Sequence, residues 1–318
     1  MNGSALKIFS GNANIPLARE ICDKAGITLG HMDTIKFSNE NIKVTVRESV
    51  RGADIFVVQP SCSPVNEGVM ELLIIIDALK HASAGRITAV CPYFPYVRSD
   101  KKDEPRISIT ARLMADLLET AGADRVLTMN LHSSQVQGFF RINCDHLSAG
   151  NILIDYIKET VKLENTVVVA ADAGSAKRAV RYAERMQLPL AILEKRRVDD
   201  SETAKVFNVI GEVKGMNVLI FDDEISTAGT MCEVIAALTK IGVGDIRIAA
   251  VHGVLCGPAA ERLKNAPVKE IIVTNTVFIP PEKMLPNMTV LSVAEPLAEA
   301  IRRIHNHESV GEIFKLRH

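Results

Sequence analysis

The 318-residue chain has no tryptophan, and aromatic residues make up only 4% of it. A stacking platform for single-stranded nucleic acid is therefore poorly supplied. Charge of one sign is missing as well, since 37 basic and 38 acidic residues leave a formal net charge of −1. No bulk field draws the chain to nucleic acid or to an anionic membrane, so any basic function must be local. No run approaches the roughly 20 apolar residues needed to span a bilayer. The opening MNGSALKIFSG also lacks a charged leader followed by a long apolar stretch, so a cytoplasmic location is expected. The six cysteines, Cys22, Cys62, Cys91, Cys144, Cys232 and Cys256, form no C-x-x-C pair and no zinc-like spacing. Several sit in apolar contexts, where a reduced cysteine behaves as a small hydrophobe. Neither a P-loop nor a dinucleotide fingerprint is present, so any nucleotide must be held another way.

What is there is an ordinary globular composition, 47% apolar and 24% charged, in a chain long enough for two domains with separate cores. Strand-like and helical runs alternate: DIFVVQ, NEGVMELLIIIDALKHA, RITAVCPYF, ISITARLMADLLETAG and RVLTMNLH. A second series follows in TVVVAADAG, AKRAVRYAERMQ, LAILEK, NVLIFDD, IRIAAVHG and EIIVTNT. This alternation predicts an α/β protein with two mainly parallel sheets flanked by helices. The boundary falls near residues 145–150, giving domains over 1–147 and 148–318. The series look like one architecture used twice, without a strict period.

The unusual residues cluster at strand ends. In VLIFDDEISTAGT, Val218 to Phe221 suit a buried parallel strand, with Asp222 and Asp223 at its carboxyl end. That is where open α/β sheets bind ligands. Ser226, Thr227, Ala228, Gly229 and Thr230 then lead into a helix whose Met231, Val234, Ile235, Leu238 and Ile241 recur at helical spacing, before Gly242 stops it. A turn of small residues at a helix N-terminus offers amides, hydroxyls and the positive dipole end to a phosphate. The paired acids suit sugar hydroxyls or a hydrated magnesium ion; a plain capped helix is the alternative, but burying unpaired acids is costly. TVVVAA similarly delivers Asp172, Ala173, Gly174 and Ser175 to a helix beginning with Lys177 and Arg178. RVLTMNL delivers His132, which is either a structural residue or, with Asp172, part of a cation site completed by water and phosphate. EKRRVDDSET is either a solvated connection or a mobile source of cations, Lys195, Arg196 and Arg197, for developing phosphate charge. Together these residues support an enzyme handling a phosphorylated sugar.

The pieces KIFSGN, KFSNEN, ESVRGADIFVVQ, MELLIIIDALKHASAGRITAVCPYFPYVRSDKKD, MNLHSSQVQGFF, DAGSAKR, DDEISTAGT, VHGVLCGPA, VTNT and AEAIRRIHNHESV occur in order from about Lys7 to Phe314. In them the chain resembles the ribose-phosphate pyrophosphokinases, also called phosphoribosyl pyrophosphate synthetases. The resemblance implies two phosphoribosyltransferase-like domains and transfer of the pyrophosphoryl group of ATP to the anomeric hydroxyl of ribose 5-phosphate, releasing AMP. It assigns the 5-phosphate to Thr227, Ala228, Gly229 and Thr230, with Ser226 in the same loop, and the ribose hydroxyls to Asp222 and Asp223. Asp172, Ala173, Gly174 and Ser175 match the pyrophosphate loop, and His132 and Asp172 the magnesium ligands. Lys195 and Arg197 match the catalytic pair of the mobile loop. Phe37, Asn39 and Asn41 match the adenine-reading loop; Arg98, Ser99 and Asp103 match further ATP positions, beside His132. In that family the adenine loop comes from a neighbouring subunit, which implies a dimer-based assembly, commonly a hexamer. Ser49, Arg51, Ser83, Arg106, Ser309 and Phe314 match a regulatory site, implying activation by phosphate and inhibition by ADP.

The sequence departs from the family at four of these places. Ser226 and Asn130 stand where aspartate is usual, Asn41 where glutamate is usual and Ser99 where glutamine is usual. Each change lowers negative charge or shortens reach at a ligand position. Two competing readings follow: a low-activity or non-catalytic subunit of a mixed oligomer, and a true phosphoribosyltransferase. The first has no physical need for Asp172, Asp222, Asp223, His132, Lys195 and Arg197; the second has none for the adenine loop.

Overall fold

A computed structural model of the protein describes residues 4–171, 174–197 and 205–314, without the side chains of 195–197, 205–207, 312 and 314. These residues separate into two compact units. The first contains β1 (Leu6–Ser10), α1 (Ile15–Ala25), β2 (Met32–Lys36), β3 (Ile42–Val46), β4 (Asp54–Val58), α2 (Val65–His81), β5 (Arg86–Cys91), α3 (Thr110–Ala121), β6 (Arg125–Met129) and β7 (Asn143–Leu147). Its five-stranded sheet has the order β1-β4-β5-β6-β7, parallel throughout, while β2 and β3 form a separate antiparallel hairpin. Residues of β4 are buried along their whole length, as expected of a parallel strand covered on both faces.

The second unit holds α4 (Gly150–Thr160), β8 (Thr166–Ala170), α5 (Ala176–Met186), β9 (Leu190–Arg197), β10 (Lys205–Ile210), β11 (Asn217–Ile225), α6 (Gly229–Ile241), β12 (Ile246–Gly253), α7 (Ala259–Lys264), β13 (Glu270–Thr274) and β14 (Met288–Leu291). Its sheet runs β10-β9-β8-β11-β12-β13-β14, and only the β9–β10 pair is antiparallel. One face, carrying Val167, Val169, Val218, Ile220 and Ile248, is covered by Val234, Ile235 and Leu238 of α6 and Leu263 of α7. On the opposite face α5 packs against β8 and β11. Gly242 caps α6 with φ 85°, a left-handed conformation that glycine adopts without a Cβ clash.

The second unit ends before the chain does. Its parts are Ala149–Asn275 and Ile279–Leu291, and the segment from Ser292 onward belongs to the first unit, whereas the sequence places all of 148–318 in the second. The cause is the last helix, α8 (Ala294–His305), whose Leu297, Ala298, Ala300, Ile301 and Ile304 are buried. It packs on α1, which buries Leu17, Ala18, Ile21 and Cys22, and so finishes a core that the first 148 residues leave open. All six cysteines are free.

Candidate functional site

Asp222 and Asp223 lie within β11 and do not follow it, since the strand continues to Ile225. The extension has a tertiary cause: β12 supplies partners as far as Gly253, pairing Asp222 with Ala250, Glu224 with His252 and Ile225 with Gly253. On its other side β11 pairs with β8 only from Asn217 to Ile220. The acids therefore stand past the last β8 pairing, where β12 continues alongside them.

Asp223 is 6% exposed, and Asp222 is half-buried. Two adjacent carboxylates in such surroundings need compensation, and α5 supplies it. Arg178 places Nη1 2.9 Å from Asp223 Oδ1 and Nη2 3.5 Å from Asp222 Oδ1. Backbone amides add to this: Asp223 N donates to Asp222 Oδ1 at 2.8 Å, and Glu224 N to Asp223 Oδ1 at 3.2 Å. Burial still pushes the Asp222 carboxyl up to about 8, with the hydrogen bond and charge of Asp223 acting in the same direction and Arg178 opposing them. The pair thus keeps a proton near neutral pH.

Arg178 was not among the expected site residues. Helical spacing could have found it: four residues on, Tyr182 stacks on Phe221 with ring centroids 4.0 Å apart and planes at 9°, so Arg178 lies on the same face one turn earlier. Phe221 precedes the acids and shares a strand face with Asp223. Lys177, the neighbouring cation, is exposed and makes no ion pair among the described residues.

The turn after β11 is shaped by its own contacts. Ala228 caps α6 with φ 58°, a conformation costly for a residue with a Cβ. Arg262 of α7 donates from Nη1 to the Thr227 carbonyl at 2.9 Å, and a Cβ on Gly229 would come 3.3 Å from that nitrogen. Ser226 Oγ lies 3.1 Å from Cys256 Sγ. Thr227 and Thr230 are exposed, Gly229 is half-buried and Ala228 is buried. An exposed turn at a helix N-terminus, beside buried acids balanced by arginine, can take phosphate at one end and sugar hydroxyls at the other.

Asp172 and Ala173 lie outside the described residues; Gly174 is exposed, and Ser175 is buried as the residue before α5. Lys195, Arg196 and Arg197 do not leave their strand, because β9 runs through Arg197 with Lys205, Val206 and Phe207 of β10 opposite them; their side chains are outside the description. In the first unit, Phe37, Asn39 and Asn41 form the β2–β3 turn. Phe37 N donates to Asn41 O at 2.9 Å, Asn41 N to Asn39 Oδ1 at 3.2 Å, and the Phe37 ring is 48% exposed. A cavity of about 820 Å³ adjoins Asn41, lined also by Lys36, Asn66, Glu67 and Met70. Arg98 and Asp103 are exposed and Ser99 half-buried in the β5–α3 connection; His132 is exposed three residues past β6, after Asn130 at φ 46°. No group of three or more His, Cys, Asp and Glu able to hold a metal occurs among the described residues.

Of the expected regulatory residues, Ser83 lies beside the residue that follows Arg51, since Gly52 N donates to Ser83 O at 2.8 Å. Ser309 lines a separate cavity of about 440 Å³ with Arg86, Arg125, Asp145 and His307. Arg106 is exposed at φ 66° and makes no ion pair among the described residues. Phe314 ends the final 3-10 turn, and its side chain is not described.

Two parallel α/β units, one with an acid pair and a small-residue turn at its sheet edge, define a protein of the phosphorylated-sugar-handling class. Residues 6–122 match the family model of the N-terminal domain of ribose phosphate pyrophosphokinase, and residues 200–315 match the phosphoribosyl synthetase-associated domain. The chain is 47% identical over 315 residues to the ribose-phosphate pyrophosphokinase of Clostridium acetobutylicum, covering 99% of this chain and 98% of that one. It is 49% identical over 315 residues to that of Deinococcus radiodurans, covering 98% of each. Among solved structures, phosphoribosylpyrophosphate synthetase from Mycobacterium smegmatis superposes with a TM-score of 0.91 at 42% identity, over 96% of this chain and 100% of that one. The chain belongs to the ribose-phosphate pyrophosphokinase family. No described helix is long and apolar enough to cross a membrane.

Proposed function

We propose that the protein transfers the pyrophosphoryl group of ATP to the C1 hydroxyl of ribose 5-phosphate, giving phosphoribosyl pyrophosphate and AMP for nucleotide biosynthesis. The observation that carries this reading is the edge of β11, where a buried and a half-buried acid, balanced by Arg178, adjoin an exposed helix N-terminus. Amides and hydroxyls of Ser226 to Thr230 hold the 5-phosphate, and Asp222 and Asp223 accept hydrogen bonds from the ribose hydroxyls. Held at both ends, the sugar presents its anomeric oxygen in a fixed direction, which lowers the entropic part of the barrier. Lys195 and Arg197 neutralise charge on the transferring group, and Asp172 to Ser175 receive the pyrophosphate.

Phe37 stacks on adenine, with Asn39 and Asn41 reading its edge and Arg98, Ser99 and Asp103 holding the rest of ATP. The exposed ring of Phe37 at a hairpin tip suits insertion into a neighbouring subunit, in a dimer-based hexamer. A divalent metal belongs with such chemistry, and we assign Mg2+ to His132 and Asp172. One imidazole and one carboxylate fit an ion that takes most of its ligands from water and substrate phosphates. When bound, it neutralises charge on the polyphosphate. Phosphate and ADP act at Ser49, Arg51, Ser83, Arg106, Ser309 and Phe314.

The test is AMP formation by the purified protein with ATP, Mg2+, phosphate and ribose 5-phosphate. Sugar-dependent AMP is the expected result. AMP release that is indifferent to the sugar, or none from folded protein, overturns the reading. A parallel reaction with GTP measures how strictly Asn41 reads the base.

A further inference from the structure

We propose that Arg178 is the positioning residue of the sugar site: its guanidinium orients the two carboxyl groups of β11 and sets the pH at which they accept the sugar's hydroxyls. The inference rests on the reading of Asp222 and Asp223 given above and adds a residue to it.

One guanidinium spans both acids, at 2.9 Å from Asp223 and 3.5 Å from Asp222. The first is a charge-assisted hydrogen bond; the second is too long for a good one and acts through charge. Asp223 is thus gripped directly, while Asp222 is influenced but left with acceptor capacity. Nε of Arg178 is buried and has no hydrogen-bond partner among the described residues, so the acids do not use up the donors of this side chain. Its place is fixed by the residue one turn on: the Tyr182 ring stacked on Phe221 pins the helix face to the strand that carries the acids.

Charge explains why an arginine is needed. Two adjacent carboxyl groups at a strand edge repel when both are ionised. From α5, Arg178 and Tyr182 face the pair. Burial pushes the Tyr182 phenol up to about 12, so it stays neutral over the working range, and among the described residues Arg178 is the cation paired with both acids. Without it the second proton leaves at higher pH, and the pair presents a protonated acid where the sugar hydroxyls need acceptors.

The experiment compares wild type with Arg178→Gln, Arg178→Lys and Tyr182→Leu. It reads Kd for ribose 5-phosphate by calorimetry without ATP from pH 6 to 9, and KM for both substrates. Arg178→Gln should weaken ribose 5-phosphate about 10- to 100-fold, move KM for ATP less than about threefold, and shift the alkaline gain in sugar affinity upward by about one pH unit. Arg178→Lys should restore the position of the pH profile but only part of the affinity, because an ammonium lacks the planar fork. Tyr182→Leu keeps every charge and should weaken the sugar severalfold without moving the profile; it also serves if Arg178→Gln does not fold. An unchanged pH profile in Arg178→Gln, or the same profile shift in Tyr182→Leu, overturns the inference while the sugar site stands. Wild type that fails to bind ribose 5-phosphate overturns the site itself, and the inference with it.

Discussion

Both units bury an aspartate against an arginine, but at opposite ends of their sheets. In the first, Asp54 begins β4 and is 2% exposed. Arg86 donates from Nε to its Oδ1 at 2.7 Å and from Nη2 to its Oδ2 at 2.5 Å, and His305 Nδ1 lies 2.8 Å from Oδ2. The same Nη2 reaches the Ile304 carbonyl at 3.0 Å. One carboxylate therefore meets a bidentate fork and an imidazole, and the arrangement clamps the end of α8 to the sheet. In the second unit a single guanidinium is spread over two carboxyl groups, the more distant at 3.5 Å. The same pair of residue types makes a staple where one guanidinium serves a single carboxylate and a site where it is shared between two. Position agrees with this division, because open parallel sheets bind ligands at their carboxyl ends.

Removing each acid should separate the two roles. The largest effect on stability belongs to Asp54→Ala, which leaves Arg86 without its partner and frees the last turn of α8. A loss of about 3 kcal/mol is expected, since breaking a buried ion pair strands a charge. Denaturant unfolding measures it, and KM for ribose 5-phosphate should stay the same while the protein is folded. A stable variant with impaired sugar binding would erase the contrast. Asp223→Asn should do the reverse: kcat/KM for ribose 5-phosphate falls about 30- to 100-fold, worth roughly 2 to 3 kcal/mol of transition-state stabilisation, with a smaller loss of stability. Normal kinetics in that variant would remove Asp223 from the site.

The sequence carries much of the fold because parallel α/β units alternate buried runs with amphipathic helices, and both series show it. It also marks the acid pair and the turn after it, since carboxylates, small residues and a helix start rarely adjoin without reason. What it misses depends on partners distant in the chain. Asp222 to Ile225 read as an end to the strand, and only the length of β12 shows that they continue it. Lys195 to Arg197 read as leaving their strand, either into a solvated connection or as mobile cations, because no local pattern reveals the antiparallel neighbour β10. The return of α8 to the first unit is hidden in the same way: an amphipathic helix states that it needs a partner but not which one. Lys177 and Arg178 look equivalent as a pair of cations, and the stacking of Tyr182 on Phe221 chooses between them.

The smallest expected effect concerns the proton on the acid pair. The Asp222 carboxyl ordinarily titrates at 3.8 and is raised to about 8 in the folded protein. Between those values the folded state binds more protons than the unfolded chain, so its stability falls as pH rises. The contribution is fully present below 3.8 and is lost as pH climbs through about 8. Glu71 works in the same direction, since its burial in α2 raises its carboxyl above the usual range. Melting of the ligand-free protein should therefore occur at lower temperature at pH 9 than at pH 6. In Asp222→Asn the decline should flatten, because asparagine keeps the shape and has no proton to lose. Ribose 5-phosphate should act in the opposite direction, protecting wild type more at pH 9 than at pH 6, because ionised acids accept its hydroxyls better. Protection that instead weakens with pH would mean that the protonated pair is the sugar-binding form, and would give Asp222 the role of a donor.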